Sequence, residues 1–257
     1  MAEAAGLAIG IVSLETTFDN VIDCFEYIHL GKAFGADSQD CLLRLDNAKL
    51  RLSRWGEAVG LSQVDKNTKS LKDTRISEVD MPQAERLLGS IFTELERVKV
   101  MDANFRAGRE FDDQSLAVMS AETDLNSVGL SLHEKMQKIA KQRQNNLSLR
   151  QKAKWALFDR AHFKDMVANI ADYTKELQEL FPAAQPLEEV LVDKETLELS
   201  ESLLVLRDAI KEQDNALASA LGAVLKPVAE KVENNVHGGN VGVMSAHRSN
   251  INQTFGK

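Results

Sequence analysis

Cysteine, proline and aromatic residues are scarce in this chain: of 257 residues only 2 are Cys, 4 are Pro and 5% are aromatic. Cys24 and Cys41 are too few for a disulfide framework and stand in no metal-ligand spacing, so two free thiols suited to a reducing cytoplasm are expected. An excess of positive charge is also missing. Thirty-one Lys and Arg face 39 Asp and Glu, a net charge of -8, which opposes non-specific contact with nucleic acid. The N-terminus lacks the cationic flank of a secretory signal, and no apolar run reaches the roughly 18 residues that mark a membrane span. There is no dinucleotide glycine fingerprint, phosphate-binding loop, HExxH or CxxC. The histidines at 29, 133, 162, 237 and 247 are scattered. Cys24 and His29 come nearest to a nucleophile pair, yet five residues apart on a helix they diverge by about 140° with no orienting group. The expectation is a chain that is not an enzyme, with no cofactor and no metal.

What is present is helical periodicity. Residues 4–14 read AAGLAIGIVSL, and the helix is expected to continue through Phe18, Val21 and Ile22. Gly6 and Gly10 share one face and permit close helix contact, while Glu15 and Asp19 make a bilayer crossing costly. Residues 2–22 therefore read either as the first helix of a packed bundle or as a latent membrane segment. The apolar face continues through Cys24, Phe25 and Ile28 and is expected to end at Gly31.

In the next helix Cys41, Leu45, Ala48, Leu52, Trp55 and Val59 recur at steps of four and three, an amphipathic stripe, with Lys49, Arg51 and Arg54 off it. Trp55 reads as a core filler. Residues 60–82 are polar and aperiodic. Leu87, Leu88, Ile91, Leu95, Val98 and Met101 make a third core-facing helix, and the break at 104–113, with Phe105 and Phe111 flanking Gly108, suggests a short strand or hairpin leg.

Leu125, Val128, Leu132, Met136 and Ile139 mark a helix that runs into a basic stretch of Lys135, Lys138, Lys141, Arg143, Arg150, Lys152 and Lys154. That stretch reads as solvated surface, as a lipid headgroup contact or as a nucleic-acid contact, although aromatics for base stacking are missing. Phe163 to Phe181 forms another apolar face, stopped by Pro182. After an AAQP linker, Leu203 to Val232 reads as one long helical region, kinked at Pro227. From His237 the chain turns to Gly and Asn, either a flexible tail or an extended segment whose Asn side chains stack between identical chains.

The stretch 23–59 carries a resemblance. DCFEY at 23–27, LG at 30–31, FG at 34–35, Asp37, Cys41, LRLD at 43–46, AK at 48–49 and RLSRWGEAV at 51–59 are similar to the HeLo domain of fungal heterokaryon-incompatibility proteins of the HET-s/HET-S type. WAL at 155–157 with Asp159, EL at 176–177 and FP at 181–182 extend it. The resemblance implies an all-α fold: one multi-helix bundle over residues 1–236, with at most a very short two-stranded sheet, followed by a polar tail over 237–257. Phe25, Leu45, Leu52, Trp55, Trp155 and Phe181 are its expected structural core. It also implies no enzymatic activity.

In such a family, residues 2–22 are held against the bundle at rest. Amyloid templating of a C-terminal segment destabilises the bundle and releases that helix to permeabilise a membrane, causing cell death. The implied partners are an amyloid-signalling partner or prion-form relative, membrane lipid after activation and further copies of the chain, with no nucleic acid. The implied location is the cytoplasm at rest and the plasma membrane on activation. Asp23 and Ala33 fall at two positions that govern toxicity in the family. Asp23 matches the toxic form, whereas Ala33 matches neither residue found there. In the tail, one candidate amyloid motif holds Asn240, Val241, Asn250, Ile251, Asn252 and Phe255, where family members carry two such repeats. The alternative is a soluble interaction module that co-assembles with or sequesters relatives without inserting.

Overall fold

The structure, a computed structural model, describes residues 2–64, 74–110, 113–144, 154–199 and 203–223, with 2–9, 203–205 and 208 as helical backbone alone. The expected amyloid residues Asn240, Val241, Asn250, Ile251, Asn252 and Phe255, together with Arg150 and Lys152, lie outside them. So do the surroundings of Gly6.

Helix α2 (Ser38–Val59) is the axis of the bundle, with 14 of its 22 residues buried. Its predicted stripe accounts for one side only. Leu45, Ala48, Leu52, Trp55 and Val59 face the larger apolar cluster, while Leu43 and Leu50 face a smaller one with Leu132, Met136, Ile139, Leu206, Leu217 and Leu221. A helix packed on both faces must also bury what lies between them. Lys49 and Arg54, expected off the apolar stripe, are each only 1% exposed. Gly60 ends the helix in the left-handed region at φ 92 and donates its N–H to the Glu57 carbonyl, which glycine permits without a Cβ clash.

Around this axis lie α1 (Ala2–Phe25), α3 (Met81–Arg106), α5 (Ser127–Gln142), α6 (Arg160–Leu180), α7 (Gln185–Glu198) and α8 (Leu203–Ile210), with α4 (Ala121–Asp124) a single turn. Two starts are capped as their residue types predict: the Asn126 side chain accepts from Gly129 N–H, and Asp159 accepts from Ala161 and His162 N–H.

Two three-residue strands, β1 (Ile28–Leu30) and β2 (Trp155–Leu157), pair in parallel with Ile28 opposite Trp155. The pairing continues at both ends, where Trp155 N–H donates to the Tyr27 carbonyl and Gly31 N–H to the Leu157 carbonyl. Among the described residues the fold is all-α apart from this sheet and an isolated antiparallel bridge between Gly31 and Val118.

Four expectations change. The first helix stops at Phe25 rather than Gly31, because Ile28–Leu30 exchanges helical hydrogen bonds for β2. Residues 104–106 continue α3, and the strand pairing lies elsewhere. Leu203 to Val232 is not one helix in its described part: α8 ends at Ile210, and helical residues 215–223 restart after Asp214, whose side chain accepts from Leu217 N–H. The AAQP linker opens α7, whose buried residues include Glu188 and Glu195 and whose sequence has little apolar periodicity.

Candidate functional site

Helix α1 lies mainly against α3 and secondarily against α2. Ile11, Leu14, Phe18, Val21, Ile22 and Phe25 are all buried there. Gly10 approaches the Met81 side chain, where an added Cβ would stand 3.3 Å from its methyl. Phe18 sits over Gly56 of α2 and meets Trp55 edge-on at 6.1 Å. A Cβ on Gly56 would lie 2.2 Å from the Phe18 ring, so this contact needs glycine. Trp55 in turn donates from Nε1 to the Leu177 carbonyl at 3.1 Å and packs against Phe181. Phe25, Leu45, Leu52, Trp155 and Phe181 are buried in the same cluster. Glu15 and Asp19, the acids that burden a membrane reading, are 3% and 6% exposed and so are enclosed by the bundle.

A polar clasp closes the C-terminal end of this seat. Asp23 is buried and accepts from Gln144 Nε2 at 2.9 Å, just beyond α5. Just past α1, Glu26 accepts from Lys49 Nζ at 3.1 Å, and the same ammonium donates to Gln137 Oε1 at 2.7 Å. Gln137 Nε2 donates to Asp46 Oδ1 at 2.7 Å, and His133 Nδ1 lies 2.8 Å from the other Asp46 oxygen. The chain of contacts therefore runs from α1 through α2 to α5. Burial pushes the Lys49 ammonium below its usual range, against the opposing pull of Glu26. Burial works in the same direction on His133, but the hydrogen bond and charge of Asp46 prevail and its pKa is raised.

Ala33 is not part of the clasp. It lies exposed on the 3-10 turn of residues 32–37, beside buried Phe34, so Asp23 and Ala33 occupy different environments. Gly31, just before that turn, has the Phe158 ring 2.3 Å from where a Cβ would stand.

Further along α2, towards its C-terminus, lies a second polar set that one-sided patterning could not anticipate. Arg54 is bidentate on Glu195 of α7 at 2.7–3.1 Å and reaches Asp214 at 2.8 Å. Arg143 bridges Glu195 and Glu57, both at 2.6 Å, and Arg51 donates to the Gln213 carbonyl at 2.6 Å. Burial opposes charge on both Arg54 and Asp214, yet their pairing raises the Arg54 pKa and lowers that of Asp214. Arg143, grouped with the basic stretch in the sequence, is thus a core cation, whereas Lys138, Lys141 and Lys154 are exposed. No local signal marked Glu195 or Asp214, because both take their role from Arg54, more than a hundred residues away, and Glu195 also from Arg143, 52 residues away.

Among the described residues no group of three or more His, Cys, Asp and Glu could hold a metal. Among them, too, no helix is long and apolar enough to cross a membrane. Cys24 is buried on α1 and His29 lies on β1.

The family model described as "HeLo: Prion-inhibition and propagation" matches residues 6–208. Heterokaryon incompatibility protein s of Podospora anserina is 32% identical over 225 residues, covering 86% of this chain and 74% of that protein. Heterokaryon incompatibility protein S of the same species is 31% identical over an equal span. The solved HET-S N-terminal domain superposes with a TM-score of 0.74 at 31% identity, covering 84% of this chain and 94% of that one. A doubly substituted HET-s N-terminal domain has the same TM-score and covers 83% and 98%. With the helical bundle, its three-residue parallel strands and the match across most of its length in agreement, this chain belongs to the HeLo family.

Proposed function

We propose that this chain is a non-enzymatic effector of heterokaryon incompatibility, acting on membranes when its first helix leaves the seat described above. The observation that carries the reading is the burial of six large apolar side chains of α1 against α2 and α3 beside enclosed Glu15 and Asp19. At about 1.5–3 kcal/mol per side chain, that burial is worth about 9–18 kcal/mol in gross terms. Displaced into water, the helix would lose most of this. A bilayer offers a second apolar sink, at a cost of about 3 kcal/mol for each acid placed near its centre. Release then favours a membrane over solvent, and favours an assembly in which the acids face one another or a wet lumen.

The trigger is amyloid templating of residues 237–257 by a prion-form relative or another amyloid-signalling partner. Asp214 and helical residues 215–223 lie on the chain leading towards that segment. A change that withdraws Asp214 leaves buried Arg54 with one carboxylate partner fewer. Removing a partner from a buried charge is strongly destabilising. Because Arg54 sits next to Trp55, and Trp55 meets Phe18, the disturbance reaches the seat of α1 through α2. The resting protein belongs in the cytoplasm and the released form at the plasma membrane.

A second reading has its own support. The absence of a sufficiently apolar helix among the described residues favours a module that co-assembles with relatives without inserting. Dye release from anionic liposomes separates the two. Full-length protein is added with and without preformed fibrils of residues 237–257, beside a copy lacking residues 2–22. Fibril-dependent leakage that the truncation abolishes supports the effector; fibril recruitment without leakage overturns it in favour of the module.

A further inference from the structure

A cleft of about 600 Å³ opens where the two-stranded sheet meets α2, α5 and residues 118–122. That volume falls within the usual span of small-molecule sites, about 300–1,000 Å³. Its walls divide by chemistry. Phe25, Leu42, Leu45, Met119 and Trp155 supply an apolar side. His29 of β1, Arg106 of α3, His133 of α5 and Lys154, just before β2, bring nitrogen donors from four separate segments.

These donors are under-used. The exposed Lys154 ammonium makes no hydrogen bond or ion pair among the described residues, and the half-buried His29 ring makes no hydrogen bond among them. His133 gives Nδ1 to Asp46 at 2.8 Å and keeps Nε2. Arg106 gives Nε to Asp102 at 2.7 Å and keeps its terminal nitrogens. All four side chains retain accessible surface, with His133 23% and Arg106 38% exposed, so a ligand in the cleft can reach them. The acids of the cleft, by contrast, already accept: Glu26 from Lys49, Asp46 from Gln137 and Glu122 from Ser120. Burial first, and the nearby Lys154 charge second, hold the His29 imidazole below its usual range, so it offers a neutral N–H beside a cation.

Spare donors of this kind are best met by an anionic acceptor, since charge-assisted hydrogen bonds are about twice as strong as neutral ones. The apolar side calls for a hydrocarbon body, whose burial there removes it from water. We propose that this cleft binds an amphipathic monocarboxylate, with its carboxylate among Lys154, His29 and His133 and its hydrocarbon chain along Leu42, Leu45 and Trp155. Glu122 stands exposed at the same cleft and its charge acts on both imidazoles. It would repel a second negative charge, which favours one carboxylate over a phosphate dianion. Such binding does not depend on release of α1, so its test needs neither fibrils nor vesicles.

The experiment is isothermal titration of the full chain with octanoate at pH about 7, where the carboxylate is ionised, beside octan-1-ol, octylammonium and acetate at constant ionic strength. The net charge of -8 favours the ammonium over the carboxylate. A preference for octanoate therefore reports the local donors. Octanoate is expected to bind at one site per chain, about tenfold more tightly than octan-1-ol or octylammonium, as a hydrogen bond to a charged group predicts. Acetate, which lacks the hydrocarbon body, should bind far more weakly. Lys154→Gln and His29→Gln should each weaken octanoate several-fold, and Glu122→Gln should tighten it by removing the competing carboxylate. Lys138→Gln, an exposed lysine outside the cleft, should change nothing. Circular dichroism checks that each variant is folded, and the exposed Lys154 and Glu122 positions carry the test if His29→Gln is not. If octanoate does not bind, if octan-1-ol or octylammonium binds equally well, or if a folded Lys154→Gln protein binds unchanged, the proposal is overturned and the spare donors serve water.

Discussion

His133 is the side chain through which mild changes of pH reach the resting clasp. Asp46 of α2 contacts it directly, and Glu122 of α4 and Glu134 of its own helix add negative charge. Together these outweigh burial and raise the folded pKa above the ordinary value of 6.5. The stabilisation is therefore fully present below about pH 6.5 and is lost as the pH rises through the folded value. The urea midpoint of the native chain should exceed that of His133→Gln most clearly below pH about 6.5, with the gap narrowing as the pH rises above it through the raised folded value. A gap that stays constant across that range would count against the imidazolium–carboxylate pair. The sequence showed His133 as one of five scattered histidines; only the approach of α5 to α2 supplied its partner.

At the level of the helix, α1 depends on a position in α2 that has no side chain. The Phe18 ring occupies the space above Gly56. Gly56→Ala therefore forces the ring aside, with an expected cost of about 1–3 kcal/mol, despite the gain in helix propensity. Gly89→Ala on α3 is the control, since its new methyl meets nothing within 4 Å. That change should be neutral or stabilise by up to about 1 kcal/mol. Amide exchange should show faster opening of residues 11–25 in the first variant and none in the second; equal protection in both would refute the account of the seat. The helical character of 2–22 was readable from its apolar run, and that of α2 from its three- and four-residue steps. Helix α7 was not, because its buried face mixes Leu191 and Val192 with Glu188, Glu195 and Thr196. Burial of polar residues by pairing erases the apolar period that a sequence reading relies on.

At the scale of the molecule, two apolar clusters among the described residues are joined by α2, and ionic contacts tie the C-terminal helices to that axis. Asp214→Asn tests the tie. Loss of one carboxylate from buried Arg54 should destabilise by about 3 kcal/mol. Exchange should accelerate in residues 203–223 and, through α2, in α1. Acceleration confined to 203–223 would mean that the two clusters open independently, and the proposed route from tail to first helix would fail. Helices that carry a tail's state in this way need a shared element packed on both sides, which is the position α2 occupies.

By itself the sequence determined the all-helical class, the amphipathic stripe of α2, the apolar first helix with its two acids, and the family resemblance carried by 23–59 and 155–182. These depend on local periodicity and on short runs of residue identity, both of which survive in one dimension. Tertiary structure alone decided that Ile28–Leu30 leaves the helix to pair with Trp155–Leu157, that Arg54 and Arg143 are core cations, and that His29, His133 and Lys154 gather at one cleft. The reason is physical. A strand of three residues has no period to read, and a buried charge is tolerated only where a distant segment brings its counter-charge, so its identity as core or surface does not exist until the chain has folded.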